Sequence, residues 1–295
     1  MIPPRRIMLS GGGIKGVAIL GSIKALHERG LDRAVKEYCG VSAGAWMALM
    51  LAYKVPLEIL ERLIMELDFG FVRNVNPDAI LGFPETFGLD DGSKFMKLLD
   101  ILFRTIVKVD PNVTFEQMNT GILFRCWATD LSSRTPREFS KKMTPTVRIM
   151  DALRATTAIP IYFIPHKDPI TGNMLSDGCI HGNLPFQNLS DEECAETLAI
   201  GFSQPDNVSY NPKTPEDIMQ FIKAIFECVT HSRNKIIDRW NHKILRIPTD
   251  NYPSWNFEAS REDRLMLLNA GIKATKEWLL NPDASARSIL RRNSC

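Results

Sequence analysis

The stretch RRIMLSGGGIKGVAILGSIKAL, Arg5–Leu26, decides the fold. Arg5–Ser10 reads as a short buried strand. From Ile14 to Arg29, apolar residues recur at helical spacing (Ile14, Val17, Leu20, Ile23, Leu26), and Gly30 supplies a C-cap. Between strand and helix stand Gly11, Gly12, Gly13, Lys15 and Gly16. A glycine inside regular structure costs about 0.5–1 kcal/mol relative to alanine. One would serve a tight strand-to-helix turn. Three in succession at a helix start leave bare N–H groups, a natural seat for negative charge.

Working outward, Lys36–Val41 is a second strand candidate that runs into Gly40-Val41-Ser42-Ala43-Gly44, and Ala45–Tyr53 is a strongly apolar helix. G-x-S-x-G between strand and helix is the pattern of a nucleophile elbow. The sharp turn lifts the serine off the sheet, and Gly40 and Gly44 stand where side chains would collide. The following helix points its positive end at Ser42. In a parallel α/β sheet the loop after the first strand and the elbow after the second emerge at one edge. The N–H groups of Gly12 and Gly13 then reach the oxygen of a tetrahedral intermediate on Ser42, and losing one such donor costs ~10²–10³ in rate. Lys15 either adds positive field or is a solvated first-turn residue.

Pro56 reads as an N1 proline ahead of LEILERLIMELD (57–68). Residues 69–92 are loop-like and rich in Gly, Pro and Asn, yet they carry Phe69, Phe71, Phe83 and Phe87, which a loop would expose. Lys94–Val107 is an amphipathic helix. Strands are expected from Gly121, at 137–140, 173–178 and 196–203, and at Lys243–Ile247. Helices are expected at Val147–Thr157 and about 215–232 and 258–280. Strands alternating with helices predict a mostly parallel sheet covered on both faces. No repeat or linker divides the chain. One domain over residues 1–295 is expected, with a peripheral insertion at about 69–110 and C-terminal helical elements at about 215–280.

Apolar residues make up 44% of the 295 and charged residues 24%, which suits a soluble chain with a real core. A net charge of +2 gives no electrostatic reason to expect nucleic acid. The longest apolar run, Ala45–Tyr53, is far short of the ~20 residues a spanning helix needs, and no signal peptide is visible. A cytoplasmic protein is expected. The six cysteines show no C-x-x-C spacing, so reduced thiols and no metal site are expected.

A serine nucleophile needs a base. None of His27, His166, His181, His231 and His242 sits in a neighbourhood that marks it as a triad member. Asp177 in LSDGCIHGNLP ends a strand ahead of Gly178 and can point across the sheet edge, although Asp-Gly is also an ordinary turn. Gly11-x-Gly13-x-x-Gly16 fits a dinucleotide fingerprint as well. That reading requires an acidic residue at the end of the second strand, and Glu37 falls at its start.

Four features in order resemble the patatin-like phospholipases: the loop Gly11–Gly16, the elbow Gly40–Gly44, ATTAIPIYF at Ala155–Phe163, and Asp177-Gly178. TFEQMNTGILFRCWATDL resembles the segment usual between elbow and aspartate, so the likeness spans roughly residues 5–205. It implies a three-layer α/β/α fold and a dyad of Ser42 as nucleophile with Asp177 as base. It implies a glycine-loop oxyanion hole at Gly12 and Gly13, and no need for cofactor or calcium. The implied substrates are acyl esters of phospholipids or neutral lipids, reached at a peripheral membrane or micelle surface. Two positions depart from the family pattern: Ser10, where aspartate is frequent, and Cys179, where glycine or alanine is usual. A silent, lipid- or protein-binding member of the fold is the alternative. The insertion at 69–110 is expected either to dock on the lipid surface or to cap the core.

Overall fold

The computed structural model describes residues 3–75, 78–203, 239–249, 252–254, 256 and 258–280. The helix expected at about 215–232 lies outside them. The strands are β1 (Arg6–Leu9), β2 (Glu37–Gly40), β3 (Gly88–Asp90), β4 (Leu123–Asp130), β5 (Thr135–Ser140), β6 (Ile161–Phe163), β7 (His166–Lys167), β8 (Met174–Asp177), β9 (Thr197–Phe202) and β10 (Ile244–Ile247). The helices are α1 (Gly16–Glu28), α2 (Ala43–Ala52), α3 (Leu57–Glu66), α4 (Asp78–Thr86), α5 (Ser93–Leu102), α6 (Ile149–Thr156), α7 (Asp191–Ala195) and α8 (Arg261–Leu280).

In β1 successive side chains serve opposite faces of the sheet. Ile7 and Leu9 join one buried cluster and Met8 the other. A strand apolar on both sides needs cover on both sides, which is the condition of a parallel sheet. The order is β10-β9-β1-β2-β4-β8-β7, with β5 also on β4. The first five run parallel, and β5, β7 and β8 run antiparallel to their neighbours. Helices α1, α2, α6 and α8 pack with the Ile7/Leu9 face. Leu184, Phe186, Cys194 and Trp240 cover the Met8 face. Helix α2 is buried nearly all round, as an apolar helix without a polar side must be. At the end of the sheet away from the elbow, Arg6 and Arg125 both pair with Glu37 and Glu193. Removing one member of such a buried cluster costs about 3–5 kcal/mol.

The insertion departs from the loop reading. It holds a 3₁₀ turn at Phe69–Val72, helix α4 with Pro84 inside it, and β3, which pairs with β6. Turn-forming residues masked these elements, and β6 followed Pro160 too closely to stand out. Pro56 is the N-cap of α3 and not its first helical residue. Phe71 and Phe87 are exposed and Phe83 is half-buried; the Phe69 side chain lies outside the described part. Among the described residues no helix is long and apolar enough to cross a membrane.

Candidate active site

The register of β4 brings the elbow and Asp177 together. On one edge, β4 pairs with β5 throughout Arg125–Asp130. On the other edge it pairs first with β2, where Gly40 faces Cys126, and then with β8, where Asp177 faces Ala128. Strands β2 and β8 therefore share one edge of β4 end to end, and their C-termini meet about 7 Å apart. Because β8 is antiparallel, its last residue, Asp177, arrives where β2 turns into the elbow. Sequence reasoning identified both residues but not this strand direction.

Ser42 occupies φ 54°, ψ −128°, a left-handed region that ordinary residues avoid. Two contacts hold it there. Gly44 lets α2 approach β1, since a Cβ on it would stand 2.3 Å from the Leu9 carbonyl oxygen. The Ser42 N–H donates to Thr156 Oγ1 at 3.0 Å, and the Thr156 hydroxyl donates to the Trp127 carbonyl at 2.6 Å. Thr156 lies within ATTAIPIYF, but nothing in its spacing marks a helical threonine as the clamp of a distant turn. Thr156→Val is expected to lower stability by about 1–3 kcal/mol, because it strands a buried N–H. Urea unfolding checks this, and Thr156→Ser should restore most of the loss.

The Asp177 backbone is fixed from two sides. Its N–H donates to the Ala158 carbonyl at 2.8 Å, and its carbonyl accepts from Thr129 Oγ1 at 2.9 Å. The side chain is wholly buried. Oδ1 accepts the Cys179 N–H at 2.9 Å, whereas Oδ2 has no hydrogen-bond partner within ordinary limits. Burial pushes the carboxyl up to about 6, against the opposing pull of the Cys179 N–H and of the Ser42 hydroxyl, which is near enough to favour the anion. A stretched serine–base contact is usual before substrate closes the site. His27 pairs with Asp32 and His166 stands 4.0 Å from Asp151, and the groups that act on the Asp177 carboxyl are Cys179 and Ser42, with no histidine among them. His231 is outside the described residues.

In the glycine loop, neither the Gly12 nor the Gly13 N–H donates to another described group. The next N–H, of Ile14, is taken by the Ser254 carbonyl at 3.0 Å. Gly13 has φ 55°, and a Cβ there would stand 2.1 Å from that same carbonyl oxygen. A segment some 240 residues away thus fixes the loop, a contact no local pattern announces. Gly11 lies beside Ser42, and Gly16 opens α1. Lys15 is not solvated: it is buried, with Nζ 5.6 Å from the centre of the Phe202 ring. Gly178 starts a 3₁₀ turn capped by the Asp177 side chain.

Ser42 opens into a cleft with a cavity volume of about 140 Å³. Its walls include Val17, Met47, Ile64, Leu102 and Phe163, and no charged side chain lines it. The insertion supplies part of this wall, since Phe95, Leu98 and Leu102 of α5 turn inward. The same insertion leaves Phe71, Leu81 and Phe87 exposed on its outside.

Residues 7–190 match the model of the patatin-like phospholipase family, so the chain belongs to that family. It is 26% identical over 285 residues to the uncharacterised protein R571 of Acanthamoeba polyphaga mimivirus, covering 94% of each chain. It is 28% identical over 200 residues to a cGAMP-activated phospholipase of Pseudomonas aeruginosa, covering 62% of this chain and 55% of the relative. In fold it is similar to VipD from Legionella pneumophila, with a TM-score of 0.59 at 17% identity, over 94% of this chain and 67% of VipD. The mixed α/β architecture with its mostly parallel sheet is shared with that structure.

Proposed function

We propose that this protein hydrolyses acyl esters of phospholipids or acylglycerols through a Ser42–Asp177 dyad. One observation carries the reading: a fully buried Asp177, with its pKa raised to about 6 and one oxygen without a close hydrogen-bond partner, meets a strained Ser42 at a mostly apolar cleft free of charged side chains. Ser42 Oγ attacks the ester carbonyl carbon while its proton passes to Asp177. The N–H groups of Gly12 and Gly13 receive the oxyanion, helped by the α2 N-terminus. As the carbonyl re-forms, the ester C–O bond breaks, and Asp177 returns the proton to the departing alcohol. Water then attacks the acyl carbon while Asp177 takes its proton, the bond from that carbon to Ser42 Oγ breaks, and Asp177 returns the proton to Ser42 Oγ as the fatty acid leaves. No step calls for calcium or a cofactor.

A fluorophosphonate probe tests the assignment. The expected result is a single label, on Ser42 by peptide mass mapping, together with hydrolysis of phospholipid or acylglycerol. A label on another residue overturns it. Gly13→Ala should cut turnover by ~10²–10³, because the new methyl must push the loop off Ser254 and misdirect an oxyanion donor. Steady-state kinetics on a soluble ester checks this.

The insertion combines the two roles expected of it as alternatives. Its inner side closes the cleft, and its outer side presents Phe71, Leu81 and Phe87 to a lipid surface. With a net charge of +2, docking relies on apolar insertion more than on anionic lipid. The double change Phe71→Ser with Leu81→Ser should weaken vesicle binding and slow turnover of aggregated lipid, while sparing a soluble short-chain ester. Equal effects on both substrates would contradict a docking role.

A further inference from the structure

We infer that Trp46 sets how far an acyl chain enters the cleft, and so acts as the chain-length determinant of this protein. The inference rests on the acyl-ester reading above. Helix α2 contributes Ala43, Trp46 and Met47 to the cleft, and its N-cap contributes Ser42. These positions share one helix face, which starts at the nucleophile and runs on for a turn or more. The facing wall comes from Phe95, Leu98 and Leu102 of α5, again one stripe, and from Ile64 of α3 with Leu67 just past its end. A chain whose carbonyl carbon sits at Ser42 therefore has an apolar track between α2 and α5. With no charged side chain along that track, nothing in it holds a head group, and its occupant is the acyl tail.

The walls differ in how firmly they are held. Met47, Ile64 and Leu102 are all but inaccessible, at 1–3% exposure, and are locked into the core. Trp46 is only half-buried. It is also the bulkiest side chain in the α2 wall, placed one helical turn, about 5.4 Å, beyond the nucleophile. A tail following α2 meets the indole there. An indole presents ~150–250 Å² of surface, comparable to several methylenes at about 30 Å² each. Truncating it therefore frees track for several more carbons.

Binding of saturated fatty acids of increasing length, held monomeric, measures this without catalysis. Calorimetric titrations would use Ser42→Ala, and the same variant carrying Trp46→Phe or Trp46→Ala. Each methylene that fits should tighten binding about fourfold. In the Ser42→Ala protein this gain should stop at a defined length. With Trp46→Ala added, the stop should move several carbons longer, and with Trp46→Phe by a smaller step. The phenylalanine variant keeps an aromatic wall and reads the same shift should the alanine variant fold poorly. A stop at one unchanged length in all folded variants overturns the inference. Ester hydrolysis by the wild type, measured separately, distinguishes the two failures. Absence of turnover counts against the acyl-ester reading, whereas an unmoved stop counts against Trp46 alone.

Discussion

Ser42→Ala is expected to abolish fluorophosphonate labelling and to lower ester turnover by roughly 10⁶, the size seen when a hydrolase loses its nucleophile. The fold should survive. The bond that holds the elbow is made by the Ser42 N–H to Thr156, which alanine retains, and the Ser42 hydroxyl fills no core position. Unfolding curves for the two proteins should thus nearly coincide while their activities diverge. A variant that loses activity in proportion to lost folded protein would point to a structural serine.

Asp177→Asn should lower turnover by ~10²–10⁴, the usual range for a general base, and it should make the protein more stable. The sign follows from the carboxyl. Burial raises its pKa from 3.8 to about 6, so the folded state is penalised as the group ionises. The penalty is absent below the unfolded pKa, grows between about pH 4 and 6, and is complete above, reaching about 3 kcal/mol. Asparagine never ionises. Urea unfolding at pH 8 should find Asp177→Asn the more stable protein by up to about 3 kcal/mol, and at pH 4 the two should agree. Gain of stability with loss of activity is characteristic of a site shaped for chemistry and not for folding. Lower stability at pH 8 would mean that the carboxylate is a structural hydrogen-bond acceptor.

Much of the fold is legible because its signals are local. The glycine loop, the elbow, the all-apolar α2 and the alternation of strands with helices each occupy a short window, and the structure places them as expected. What escaped depends on distant partners. Asp177 was visible as an Asp-Gly turn, but its meeting with Ser42 depends on β8 running antiparallel beside the end of β2. Thr156 acts on an elbow 114 residues earlier, and the Ser254 carbonyl on a loop at the opposite end of the chain. Neither contact leaves a periodicity. Pro84 in the insertion and Pro160 just before β6 carried local turn signals, yet α4 forms around the first and β6 pairs with β3 right after the second. Of the aromatic residues expected to be exposed in the insertion, Phe71 and Phe87 are and Phe83 is half-buried, and the inward turn of Phe95 depends on the cleft it lines.

The central claim is that Asp177, with no histidine, activates Ser42. The most direct measurement is the rate of covalent modification of Ser42 by a fluorophosphonate across pH 4–9, in the wild type and in Asp177→Asn. The wild-type rate should rise with pH through an inflection at about 6, where Asp177 becomes anionic, and then level off. Asp177→Asn should react slowly at every pH, without that inflection. An unaltered rate and inflection in Asp177→Asn, lost instead on replacing a histidine, would contradict the dyad.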